Sequence, residues 1–117
     1  MVEYSGRTVK LPDGTLRCPA PVKDILDLQS NDVLVLLKTS GKYDEFDEET
    51  RCQNVWRVGP DGTVRWRIRK GDMISGEYAS YSSIWDENGA IWAYNTNGLA
   101  YRVDLETGKL GETRQMK

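Results

Sequence analysis

The chain contains no histidine. That absence removes the commonest general base, the commonest metal ligand and the ordinary pH switch. Ser-His-Asp and Cys-His chemistry cannot arise within the chain. Cysteine is scarce too: Cys18 and Cys52 stand alone, without C-x-x-C spacing. Two free thiols in a reducing compartment is the favoured reading, with a Cys18–Cys52 disulfide as the alternative. Long apolar runs are missing. The longest, Val33–Leu37, is far too short to span a bilayer. The opening residues Met1-Val2-Glu3-Tyr4-Ser5 hold neither a basic nor an apolar region, so no signal peptide is expected and the cytoplasm is the expected location. Net positive charge is lacking as well. A net charge of −2 and a pI near 5.2 give no bulk attraction to nucleic acid or anionic lipid. There is no P-loop, no G-x-G-x-x-G and no oxygen-rich calcium loop. No carboxylate pair is set out as a glycosidase requires. Enzyme activity, a metal and a cofactor are therefore not expected.

What is present suits one small domain. The 117 residues are enough to bury a modest core. Hydrophobic residues at 38% and charged residues at 29% place the chain outside the disordered class. Four Trp and six Tyr against one Phe suit a pleated, half-wetted surface. Turn signals recur at Pro12-Asp13-Gly14, Pro60-Asp61-Gly62, Glu87-Asn88-Gly89, Thr96-Asn97-Gly98 and Glu106-Thr107-Gly108. Asn-Gly and Asp-Gly supply the positive φ that tight hairpins need. No segment of ten residues carries a helical stripe, and 21–29 reads as an extended entry into a strand. Val64, Trp66 and Ile68 alternate with Arg65, Arg67 and Arg69, and are expected on one packed face. Leu99, Tyr101 and Val103 repeat that pattern. Val33–Leu37 is apolar at every position, which marks a central strand covered on both faces.

Three hairpins read alike: Thr8 to Leu16, Trp56 to Val64, and Tyr101 to Leu110. The last two close longer four-stranded meanders. The expected fold is all-β, with eight to ten strands, in two four-stranded units plus an N-terminal hairpin. The hairpin is placed at 4–18, unit one at 22–69 and unit two at 78–113. The phrases 54–66 and 100–109 resemble the outer hairpins of β-propeller blades, especially the quinoprotein-like kind. The stretch from Thr8 to Gly111 also resembles a group of small bacterial proteins of unassigned function. That resemblance carries no functional residues across. Two blades are fewer than propellers use, so the units are expected to pack as a sandwich or barrel, or as a partial propeller completed by self-association.

Four features are candidates for function. The first is an insertion at 39–52, which lengthens the step between the second and third strands of unit one. It holds Tyr43, Asp44, Glu45, Phe46, Asp47, Glu48 and Glu49, an acidic run around an aromatic. Such a loop can dock on a basic protein, with Tyr43 or Phe46 filling a pocket. The bland reading is a solvated loop that guards a strand edge. The second is the arginine face of Arg57, Arg65, Arg67 and Arg69, with Arg57 and Arg65 close across the 59–63 turn. Like charges so placed repel, so an acid is expected over them, from 44–49, Glu77 or Asp86. The alternative use is an anionic ligand, nucleic acid being disfavoured by the negative net charge. The third is the aromatic set Tyr78, Tyr81, Trp85, Trp92, Tyr94 and Tyr101, read mainly as cross-strand pairs, with Trp85 meeting Trp92 across Asn88-Gly89. The fourth is the carboxylate group Asp86, Asp104 and Glu106, ordinary turn residues.

The expected function is a non-enzymatic protein-binding module, of the inhibitor or immunity kind, that docks on a basic partner. A structural, self-associating β-protein is the first alternative. A carbohydrate-binding or hydrolytic domain is the second.

Overall fold

The computed structural model describes residues 2–39 and 45–116. The chain is all-β apart from one short helix. Strands β1 (Glu3–Ser5), β2 (Thr8–Leu11) and β3 (Gly14–Arg17) form a three-stranded antiparallel sheet. Strands β4 (Val22–Asp27), β5 (Val33–Leu37), β6 (Val55–Val58) and β7 (Val64–Arg67) form a first four-stranded meander. Strands β8 (Tyr81–Glu87), β9 (Ala90–Asn95), β10 (Leu99–Val103) and β11 (Leu110–Gln115) form a second. The described strands number 11, more than the eight to ten expected, and β1 turns the N-terminal hairpin into a sheet.

β5 organises the interior. All five of its residues are buried, and a pleated strand sends them alternately to two sides. Val33, Val35 and Leu37 join one core with Val9, Leu11, Cys18, Ala20, Val22, Trp56 and Val58. Leu34 and Leu36 join another with Val55, Ile68, Tyr81, Ile84, Ile91, Ala93, Tyr101 and Val103. The first meander therefore stands between the N-terminal sheet and the second meander, packed face to face as a small sandwich. The two look-alike turns touch: the Asp13 N–H donates to Pro60 O at 2.9 Å, and a Cβ on Gly14 would lie 2.6 Å from Asp61 O.

Asn54 joins the meanders. Its side chain is fully buried; Nδ2 donates to Leu37 O and to Tyr81 O, each at 2.8 Å, and Oδ1 accepts from Tyr81 N at 2.9 Å. Below it, Tyr81 and Tyr101 meet edge to face at 6.2 Å. Both cysteines are free and buried. Burial pushes the Cys18 thiol up to about 11 and raises that of Cys52. Burial and a raised pKa both work against thiolate formation at these positions.

A meander reverses at every turn, so its connections collect at two ends. Turns 28–32, 59–63, 88–89 and 104–109 lie at one end of the strands. The described connecting residues 38–39 and 45–54, with 68–80 and 96–98, lie at the other. This grouping positions both surfaces described next.

Candidate binding surfaces

At the first end, the arginines of β6 and β7 gather around Asp32. Alternation along β7 alone would place Val64, Trp66 and Ile68 together. The structure corrects that expectation: Val64 packs against the first core, whereas Trp66 and Ile68 belong with the second. The cause is a β-bulge. Arg57 pairs with Trp66 and Val58 with Val64, which leaves Arg65 as the extra residue. A bulge re-aims its side chain, and here Arg65 reaches the same carboxylate as Arg57.

Asp32 is 5% exposed. Its Oδ2 accepts from Arg57 Nε at 2.7 Å and from Arg65 Nε at 3.3 Å. Burial by itself pushes its carboxyl up, but the two guanidiniums outweigh that and hold it below the usual carboxylate range. Arg57 spends its remaining donors inside the protein, on Leu105 O at 2.7 Å and Ser30 Oγ at 3.1 Å. Trp66 Nε1 donates to the same Leu105 carbonyl at 2.7 Å. The β10–β11 turn closes over this cluster at Gly108, whose φ of +75° and 2.6 Å Cβ approach to Trp66 leave room only for glycine. Asp32, Arg57, Arg65, Trp66 and Glu106 line a recess of about 370 Å³. Arg57 and Glu106 also line a recess of about 310 Å³ between the meanders, which shares Ile91 and Leu105 with one of about 600 Å³.

The arginine face is thus split. The acid over Arg57 and Arg65 is Asp32, from the β4–β5 turn, rather than 44–49, Glu77 or Asp86. Asp86 Oδ1 instead accepts from Gly89 N within its own hairpin. Arg67 does take the expected insertion acid: Nη1 pairs with Glu49 at 2.7 Å while its guanidinium stacks 4.6 Å from the Trp56 ring. Arg69 is exposed.

At the other end lies the insertion. Tyr43 and Asp44 fall outside the described residues. The acids that follow form a turn of helix, α1 (Glu48–Cys52), where a loop was expected. Asp47 is its N-cap and accepts from Thr50 N at 2.8 Å, which lowers its carboxyl. Glu48 pairs with Lys70 at 3.1 Å and Glu49 with Arg67. Glu45 is exposed and engaged elsewhere in the protein. Phe46 is half-buried against the first core, so it anchors its own segment.

Beside α1 stands a feature that no alternation pattern announced. Ile74 N and O bond Glu77 O and N at 2.9 and 3.0 Å, closing a two-residue turn with Ser75 at φ +55° and Gly76 at φ +80°. Those angles are the primed hairpin geometry. The Ser75-Gly76 dipeptide was the available signal. Residues 72–77 are all exposed, with Met73 at 50% and Ile74 at 51%. The base is tied down. Tyr101 Oη accepts from Asp72 N and from Asn97 Nδ2, and Asn97 Nδ2 also donates to Asp72 O. Arg51 Nη1 and Cys52 Sγ donate to Tyr78 O, Asn95 Nδ2 to Ala79 O, and Lys70 lies 4.8 Å from the Tyr78 ring.

The other aromatics are structural. Trp85 and Trp92 sit opposite in register across the Asn88-Gly89 turn. Trp92 is buried beneath the Arg114 guanidinium at 3.9 Å, and Arg114 pairs with Glu87 at 2.7 Å. Tyr81 Oη donates to Arg69 O, and burial raises its phenol. Among the described residues, no group of three His, Cys, Asp or Glu side chains could hold a metal ion. No described helix is long and apolar enough to cross a membrane.

No curated protein and no solved structure matches the chain. A family model does, over residues 1–115. The chain belongs to DUF7957, a family described as a domain of unknown function.

Proposed function

We propose that the protein is a non-enzymatic protein-binding module whose docking face combines the apolar hairpin 72–77 with the acidic turn around α1. One observation carries the reading: Met73 and Ile74 are held out in water on a tight turn whose base is fixed to the second meander and to α1. Exposing two large apolar side chains costs solubility without helping the fold. A rigid base also spares a binder the entropy of ordering its loop. Asp72 and Glu77 flank the pair, and α1, with Glu48 and Glu49 in its first turn and Asp47 as its N-cap, bonds through Arg51 and Cys52 to Tyr78 at the hairpin's base. This favours a basic partner with an apolar pocket, as an inhibitor or immunity-type role would require. Surface ion pairs such as Glu48–Lys70 are weak enough to re-pair with a partner's cations.

Self-association has its own support. β11 is an exposed outer strand whose far edge is open in the described residues. The two meanders, with similar Pro-Asp-Gly turns at the first meander and the N-terminal sheet, also fit a blade-like reading of the units.

A photo-crosslinker placed at Ile74, and at Lys10 as an exposed control, tests the docking face. An adduct with one recurrent protein from position 74 alone is expected. Met73→Ser/Ile74→Ser, which should melt as wild type, should then weaken binding to that purified protein at least about tenfold. Adducts only with the same chain would replace docking by self-association. Equal labelling from both positions would remove the proposal.

A further inference from the structure

Two arginines sharing one carboxylate leave the recess at the first end with an unspent cation. Arg57 makes a hydrogen bond from each of its three nitrogens: Nε to Asp32, Nη1 to Leu105 O and Nη2 to Ser30 Oγ. Arg65 does not. Among the described residues its side chain makes one hydrogen bond, from Nε to Asp32, and it is 47% exposed. Its guanidinium packs against Gly59, where a Cβ would come within 2.6 Å of Nη2. The bulge in β7, the buried Asp32 and the bare backbone of Gly59 together hold the Arg65 guanidinium in a recess that Trp66 also lines. A held fork with free N–H groups matches the oxygens of a carboxylate or phosphate, and charge-assisted pairs of that kind are among the stronger hydrogen bonds. Bulges also recur beside functional sites.

We infer that the Arg65 fork, in the recess lined by Asp32, Arg57, Trp66 and Glu106, is a binding site for an oxyanion, either a carboxylate or a phosphate group. Asp32 and Arg57 act as its support: they fix Arg65 Nε and leave Nη1 and Nη2 for the ligand. Glu106, an exposed carboxylate lining the same recess, repels an incoming anion and so weakens its binding. The site lies at the opposite end of the strands from the docking hairpin, so either reading can fail without the other.

The test is a titration of protein carrying ¹⁵N-arginine, at low ionic strength, following the Nε–Hε resonances. Succinate and inorganic phosphate are the two probes, and the tighter one names the source of the oxyanion. Saturable movement of the Arg65 resonance is expected, with little movement of Arg69. Arg65→Gln should weaken binding about tenfold, and Glu106→Gln should strengthen it, because the repelling carboxylate is gone. Arg69→Gln should bind as wild type. Thermal melts of each variant separate loss of the site from loss of the fold, and Glu106→Gln tests the site at an exposed position whose side chain has no described hydrogen bond. Non-saturating shifts of equal size at Arg65 and Arg69 would show salt screening only and overturn the inference. So would unchanged affinity in both Arg65→Gln and Glu106→Gln.

Discussion

The two four-stranded meanders follow the same path and differ in what covers them. β5, in the first, has a core on each side, and none of its five residues reaches solvent. β9, in the second, sends Ile91 and Ala93 into a core, while Trp92 and Tyr94 point outward. Trp92 is buried because Arg114 stacks on it and Trp85 sits opposite. A middle layer has no wet face on which to place a charge. The one arginine that β6 turns toward the second meander, Arg57, is satisfied at all three nitrogens, whereas the outer meander leaves Arg102 exposed. Position in the stack, more than strand topology, decides which polar groups need partners.

The sharpest way to break that comparison is to cut matched holes. Leu36→Ala, in the covered strand, should cost about 3 kcal/mol by urea denaturation, and Tyr94→Ala, on the outer face of β9, about 1 kcal/mol or less. Equal losses would mean that both meanders are covered alike. Next comes the link between them. Asn54→Ala strands Leu37 O, Tyr81 O and Tyr81 N, and should cost about 2 kcal/mol; hydrogen exchange should quicken at Tyr81 before it quickens within β5.

Acid separates the layers in a different way. The carboxyl of Asp32 is depressed in the folded state, so its stabilisation is present above the unfolded value of about 3.9 and is lost as pH falls through the lower folded value. Melting temperature should therefore drop steeply below about pH 4, and Asp32→Asn should flatten that limb while lowering stability at neutral pH. The smallest effect belongs to the outer face. Arg114→Ala removes an exposed ion pair and the stacking on Trp92, and should leave the urea midpoint nearly unchanged while red-shifting tryptophan emission.

Much of the fold was legible in local pattern. The unbroken Val33–Leu37 run marks the doubly covered strand, and Asn88-Gly89 sets Trp85 against Trp92. The site was less legible. The arginines were visible and so was their need for an acid, yet Asp32, four residues past Leu28 in a turn, carries no periodic signal. Phe46 stood out as a pocket-filling aromatic, and it is spent on its own core. Met73 and Ile74 fall outside every alternating segment, so only Ser75-Gly76 hinted at them.

The sequence by itself determined the strands, their antiparallel order and the two-sided burial of β5, because pleat and turn chemistry act over a few residues. Only the tertiary structure decided where charge and exposed apolar surface ended up. One extra residue in β7 turned Arg65 toward Asp32, and the alternating reversals of two meanders brought turns far apart in sequence to a common end. Register and packing between distant segments set those outcomes, and a shift of a single residue is enough to change them.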